Sequence, residues 1–213
     1  MAGGSRGIVA LEFYSGIGAL HYSLQRARPS AAVAACFDLN EVANAVYEHN
    51  FGLKPITGNI ESKATPKMLD KYAADLWMLS PPCQPYTRQG LKRDGDDGRA
   101  RSFLKLLDLM PDLKHPPTYI LVENVVGFET SRTHGSLLEA LEHADFAVQQ
   151  FLLSPLQMGV PYSRPRYFCL AKRRPKAFPR PEWDGRVITS PPPVRGGVGG
   201  LDGSTECGCS RVL

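Results

Sequence analysis

Residues 8–20 read Ile8-Val-Ala-Leu-Glu-Phe-Tyr-Ser-Gly-Ile-Gly-Ala-Leu20. The first half is apolar with little polar interruption, the pattern of a strand covered on both faces. Gly16 and Gly18 follow, and a helix-period stretch over residues 19–28 begins at once. A strand that turns through glycines into a helix opens a ligand-binding α/β unit. Glycines let the backbone approach a ligand closely at the carboxyl edge of the sheet, and the helix start offers N–H groups. Taken alone, the turn also fits glycines that serve a bend, because the dinucleotide fingerprint wants a third glycine where His21 stands.

Working outward from this unit, strands are expected at 8–14, 32–37, 75–79, 119–123, 147–153 and 167–171. Helix-period stretches lie between them at 41–50, 66–72, 102–110 and 135–143. The alternation predicts an α/β fold with a mostly parallel sheet and helices on both faces. Asp38 closes the second strand, 22 residues beyond Gly16, where such folds place a carboxylate that accepts from ribose hydroxyls. From Pro175 onward, 6 prolines and 7 glycines fall among 39 residues, with Phe178 and Trp183 as the aromatic mass. That one-third share predicts a folded domain over 1–174 and a flexible tail over 175–213.

Bulk properties set outer limits. A chain of 213 residues that is 43% hydrophobic and 22% charged has ordinary globular composition. The net charge of +4 permits a polyanionic partner and equally fits a solvated basic surface. Apolar runs fall short of the roughly 18–20 residues that cross a bilayer, so no membrane span is expected. The opening Met1-Ala-Gly-Gly-Ser-Arg-Gly7 lacks a hydrophobic segment, so no secretory signal is expected either. Five scattered cysteines do not form a disulfide framework, which makes cytosol or nucleus the simplest compartment. Cys207 and Cys209 fall short of a four-ligand site, and no metal is expected. A monomer is expected.

Four further stretches carry chemistry. The strand at 75–79 stops at Ser80-Pro-Pro-Cys-Gln-Pro85, where two prolines fix the direction in which the chain leaves the sheet. Cys83 on that stiff turn sits where parallel sheets place reactive groups, although a lone cysteine also reads as a small buried hydrophobe. The next strand ends Val122-Glu123-Asn124, and a carboxylate after a buried run is either functional or salt-bridged. Adjacent parallel strands would set Glu123 beside Cys83. Arg164 and Arg166, spaced i, i+2 at a strand start, would share one face and offer guanidinium groups to phosphate or a base oxygen; solvated arginines are the plainer reading. Residues 87–102 contribute Arg88, Lys92, Arg93, Arg99 and Arg101 in a loop that closes over a substrate or is simply solvated.

Pro-Pro-Cys-Gln after one strand, Glu-Asn-Val after the next and Arg-x-Arg after Gly159-Val-Pro161 together resemble the ordered motifs of the cytosine-C5 methyltransferases. The stretches 11–18, 38–44, 80–88 and 163–168 resemble in particular the eukaryotic tRNA branch, which methylates an anticodon-loop cytosine of tRNA-Asp. The resemblance covers about residues 8–172 and implies a Rossmann-like fold that binds S-adenosyl-L-methionine (SAM). Tyr14, Ser15, Gly16, Ile17, Gly18, Ala19 and Leu20 would then hold its methionine part. Asp38 would meet the ribose, Leu39 the adenine face, and Asn59, Ile60 and Glu61 the adenine edge, with Ser80 lining the pocket. Cys83 would attack C6 of cytosine, Glu123 would engage N3 and the amine, and Arg166 with Arg164 would bind the O2 edge. Pro82, Gln84, Arg88, Arg99 and Asn124 would contact the nucleic acid.

The chain departs from the pattern at Ala19, Tyr162 and Pro165, and lacks the family's target-recognition and closing segments after Lys172. A truncated, catalytically incompetent form that still binds SAM or RNA is therefore a second expectation. A DNA cytosine methyltransferase is a third. A nicotinamide oxidoreductase, resting on the glycine turn alone, leaves Cys83 and Glu123 unexplained.

Overall fold

In the computed structural model, residues 7–82 and 98–191 are described, with the backbone alone for 98–100. Strands and helices alternate as β1 (Val9–Phe13), α1 (Ala19–Ala27), β2 (Ala32–Asp38), α2 (Glu41–Phe51), β3 (Ile56–Thr57), α3 (Ile60–Lys63), α4 (Pro66–Asp70) and β4 (Leu76–Leu79). They continue as α5 (Gly98–Asp108), β5 (Tyr119–Val125), α6 (Arg132–His143), β6 (Phe146–Leu153), β7 (Arg166–Arg173) and β8 (Val187–Ile188). Local chemistry sets several boundaries. Asn40 caps α2 by accepting from the Val42 and Ala43 amides, and Gly52 ends that helix at φ 66°. Thr65 caps α4 ahead of Pro66, and Ser131 caps α6.

Among the described residues, eight strands form one sheet in the order β3-β2-β1-β4-β5-β7-β6-β8. β1 pairs in parallel with β2 and β4, and β4 with β5, so the carboxyl ends of four strands share one edge. β7 runs antiparallel to both β5 and β6, which makes it, among the described residues, the one reversed strand in the mostly parallel sheet expected from the sequence. One face carries the larger core: Leu11, Phe13, Trp77, Leu79, Ile120 and Val122 pack against Leu69, Phe103, Leu106, Leu137 and Leu141 from α4 to α6. Phe13 stacks on Phe37 at 4.9 Å and meets Trp77 edge-on at 5.2 Å, contacts worth about 0.5–1.5 kcal/mol each beyond burial. On the opposite face Ala10, Leu76 and Met78 meet Leu24 of α1. Helices thus cover both faces.

The structure differs from the sequence expectations in three places. Residues 98–102, expected in a loop, form the first turn of α5. β3 and α3 are too short for periodicity to show them. Residues 175–191, placed in a flexible tail, pack against the sheet. Phe178 is buried beneath Lys172, Trp183 meets Phe151, and the Gln149 amide donates to the Arg180 carbonyl and to Asp184. β8 then pairs in parallel with β6. Anchored aromatics outweigh the proline and glycine content of this stretch.

Candidate active site

At the end of β1 the chain reverses sharply, with Tyr14, Gly16 and Gly18 at φ 57°, 51° and 92°. Ser15 closes the bend by donating its N–H to the Phe37 carbonyl at 3.1 Å. The Gly16 N–H donates to Asp38 Oδ2 and the Asn40 N–H to Oδ1, both at 2.8 Å, so both oxygens of this carboxylate are fixed between the turn and the end of β2. A Cβ built on Gly16 would meet nothing within 4 Å, whereas one on Gly18 would lie 2.2 Å from the Phe51 ring. Gly16 faces open space; Gly18 is wedged from behind. Beside the open space stand the exposed side chains of Ile17 and Leu39, the latter 71% exposed.

The other residues expected at this edge divide by burial. Tyr14, Leu20 and Glu61 are half-buried and Ala19 is exposed. The Tyr14 hydroxyl lies 2.9 Å from that of Ser102, which ties the turn to α5. Ser15, Gly18 and Ile60 are buried, and Ile60 belongs to the large core cluster, so its side chain supports the edge from within and does not face a ligand. Asn59 Oδ1 caps α3 by accepting from the Glu61 N–H at 3.0 Å. Asn44 gives its amide hydrogens to the Asp38 carbonyl and to Thr57 Oγ1, joining the ends of β2 and β3.

A second cluster forms where β4, β5 and β7 meet. The Ser80 hydroxyl donates to Glu123 Oε2 at 2.6 Å, and Arg166 Nε lies 3.1 Å from Glu123 Oε1. Both members of the ion pair are about one-fifth exposed, so the carboxylate is shielded yet reachable. Asn124 differs from the expectation of a substrate contact. It is 3% exposed, because its amide donates to the Pro81 carbonyl while its oxygen accepts from the Val125 N–H. It fixes the turn to β5 from below, leaving Pro82 exposed. The shared face expected for Arg164 and Arg166 does not arise either. β7 begins at Arg166, so strand alternation does not reach Arg164, whose N–H donates to Ser154 Oγ and whose side chain is exposed.

Cys83, the residue after Pro82, lies outside the described residues, as do Gln84, Arg88 and the side chain of Arg99. Sequence reasoning passes over Glu12, which is 1% exposed and accepts from Tyr47 and from the His21 N–H. The available signal was a carboxylate inside an otherwise apolar strand. Burial lifts its carboxyl up to about 7. His134 of α6, Gln150 of β6 and Tyr167 of β7 form another, partly buried network, with Gln150 Oε1 accepting from Tyr167. Among the described residues no group of three His, Cys, Asp or Glu could hold a metal ion, and no helix is long and apolar enough to cross a membrane.

Comparison with known proteins bears on this geometry. Residues 8–190 match the family model described as C-5 cytosine-specific DNA methylase. The chain is 45% identical over 170 residues to a tRNA (cytosine(38)-C(5))-methyltransferase of Bos taurus, covering 80% of this chain and 44% of the relative. It is also 45% identical over 177 residues to a DNA (cytosine-5)-methyltransferase of Dictyostelium discoideum, covering 82% and 46%. Among solved structures it resembles a mutant of Spodoptera frugiperda DNMT2, with a TM-score of 0.76 at 39% identity over 88% of this chain and 56% of that one. It resembles S. pombe Dnmt2 at a TM-score of 0.71, 35% identity, 80% and 51%. The chain spans about half the length of the relatives it matches. A glycine turn bonded to Asp38, a Pro81 carbonyl tied to β5 through Asn124 and a Glu123–Arg166 pair accompany the matched family model, and this chain belongs to the C-5 cytosine-specific DNA methylase family.

Proposed function

We propose that the chain supplies the methyl-transfer centre of a SAM-dependent enzyme that methylates C5 of a cytosine in tRNA. The observation that carries this reading is the Glu123 carboxylate, held by Ser80 and Arg166 at the sheet edge where the Pro81–Pro82 turn leads into Cys83. The open space at Gly16, the anchored Asp38 and the exposed Leu39 fit the methionine, ribose and adenine parts of SAM. Tyr14, Ile17, Ala19, Leu20, Asn59 and Glu61 would complete that cradle, with Ser15, Gly18 and Ile60 supporting it from behind. When bound, SAM supplies an electrophilic sulfonium methyl.

Aromatic cytosine is a poor nucleophile at C5. Addition of the Cys83 thiolate to C6 breaks the aromaticity and places electron density on C5. Glu123 in its protonated form donates its proton to N3, which stabilises that density, while its other oxygen accepts from the exocyclic amine and so selects cytosine. Arg166 both orients Glu123 and offers N–H groups to O2, and Arg164 lies on the approach. After methylation, loss of the C5 proton to solvent re-forms the C5–C6 double bond and expels the Cys83 sulfur as thiolate. A base treated in this way must leave its stack, so an unpaired loop cytosine presents itself at lower cost than one in a duplex.

The test is incubation of the 213-residue chain with methyl-labelled SAM and tRNA, beside duplex DNA. The reading expects label on one tRNA cytosine and none with Cys83→Ala. Label confined to duplex DNA would favour the second reading, a DNA methyltransferase, which the Dictyostelium relative's name suggests at equal identity. SAM binding without label on either would assign the chain a binding role only.

A further inference from the structure

Glu12 lies on the β1 face that Ala10 shares with Leu24, Leu76 and Met78, where a carboxylate is costly unless partnered. Its partners are specific. The Tyr47 hydroxyl donates to Oε2 at 2.7 Å, and the His21 N–H donates to Oε1 at 3.2 Å. Helix α1 begins after Gly18, which has no side chain to cap it. Glu12 supplies that cap from the neighbouring strand by taking an amide of the first turn. Tyr47 Oη also lies 2.7 Å from His21 Nδ1, and His21 Nε2 lies 3.1 Å from the Gln25 amide nitrogen. His21 stacks on Phe51 at 4.0 Å, and Phe51 is the ring that wedges Gly18.

Proton counting fixes the direction of this chain. One hydroxyl has one proton. While Tyr47 donates to Glu12, the His21 proton must sit on Nδ1 and be given to the Tyr47 oxygen, and Nε2 accepts from Gln25. Every donor then points toward the carboxylate. Uptake of one proton at His21 Nε2 reverses the chain: Nδ1 gives its proton to Tyr47, and Tyr47 gives its own to Glu12. The new Nε2–H then donates to Gln25 Oε1 once that exposed amide turns over. From β2, burial pushes the Cys36 thiol up to about 12, and Asp38 is held by Gly16 and Asn40. From α2, burial pushes the Tyr47 hydroxyl far above its usual range; from α1, burial pushes His21 down; and β4 offers Met78 in register. Burial raises Glu12 most, its hydrogen bonds to Tyr47 and the His21 amide lower it, and Asp38 raises it again, leaving it at about 7.

We infer that Glu12 is a positioning residue for cofactor binding. Ionised, with the Gln25–His21–Tyr47 chain directed at it, it clamps the start of α1 and the Gly16–Gly18 turn into the cofactor-receiving shape; protonation relaxes that clamp. The inference rests on the function proposed above and adds that a proton and the cofactor oppose one another. Folding shows the opposite dependence, because the ionised carboxylate in this position weakens the fold.

Calorimetric titration of SAM into the full chain at about pH 6 and about pH 8, with denaturant unfolding at the same pH values, separates the two. For the unaltered chain the expected result is SAM affinity rising at least about 5-fold with pH while stability falls. Glu12→Gln should bind at the weak level throughout, with both pH dependences flattened. Infrared difference spectra should show a buried protonated carboxyl at the lower pH that Glu12→Gln lacks. Tyr47→Phe removes a donor and should move the infrared midpoint to higher pH. Equal affinity slopes in the chain and Glu12→Gln, or an unmoved midpoint in Tyr47→Phe, would overturn the inference and leave the function standing. No SAM binding at any pH would overturn both.

Discussion

Substituting alanine for Gly18 and for Gly16 in turn should separate fold from ligand at a single bend. At Gly18, alanine meets φ +92° and places its Cβ 2.2 Å from one Phe51 ring carbon and 3.0 Å from the Tyr47 ring. The left-handed backbone costs about 1–2 kcal/mol and overpacking about 1–3 kcal/mol, for a total near 3 kcal/mol. At Gly16, φ is +51° with nothing within 4 Å, so the backbone cost of roughly 1 kcal/mol stands alone. In a domain of this size, 1 kcal/mol moves the melting temperature by about 2–4 °C. Gly18→Ala should therefore lower it by roughly 6–12 °C and Gly16→Ala by about 2–4 °C. Cofactor titration should reverse the order, with Gly16→Ala losing at least about tenfold in SAM affinity because its methyl enters the space assigned to the ligand. Phe51→Ala added to Gly18→Ala should recover part of the lost stability, since it removes the clash. Equal stability losses at the two glycines, or Gly18→Ala unaffected by Phe51→Ala, would refute the wedge.

Glu12 is protonated in the fold up to about 7 against an ordinary value of 4.5, so the folded chain holds the extra proton between those values. Its contribution to stability is complete below the lower value and is lost as pH rises through about 7, roughly 3 kcal/mol across the window; denaturant midpoints compared with those of Glu12→Gln measure this. Asn124→Ala strips the Pro81 carbonyl of its partner and should cost about 1–3 kcal/mol in denaturant unfolding, with methyl transfer falling further than SAM affinity. Cys36 and Cys169 are buried, and burial pushes both thiols up to about 12, so neither should react with iodoacetamide in the folded chain; peptide mapping after alkylation reads this directly.

The central part of the fold was legible because its signals are local. Apolar runs marked β1, β2, β4 and β5, and glycines with Asp38 marked the turn that the Gly16–Asp38 hydrogen bond joins to the end of β2. Glu123 stood out as a carboxylate closing a buried run. What was not legible depends on partners distant in sequence. The direction of β7 follows from its register with β5, where Glu123 lies opposite Phe168, and nothing in residues 166–173 encodes it. Asn124 was expected to contact nucleic acid, whereas its amide is taken by the Pro81 carbonyl, a partner 43 residues away. Residues 175–191 carry the composition of a tail, yet Phe178 and Trp183 find partners on β7 and β6. Glu12 escaped notice because its neighbours in the sequence are apolar and the groups that hold it, Tyr47 and His21, come from two different helices.

The central claim is that sulfur 83 and carboxylate 123 act on one pyrimidine. RNA carrying 5-fluorocytosine in the loop tests it most directly, because fluorine cannot leave as the C5 proton does and the sulfur–C6 bond persists. Incubated with SAM, this chain should yield a covalent complex whose mass maps to the peptide containing Cys83, greatly reduced in Glu123→Gln and absent in Cys83→Ser. A complex of the same yield in Cys83→Ser, or one mapped to another cysteine, would contradict the account.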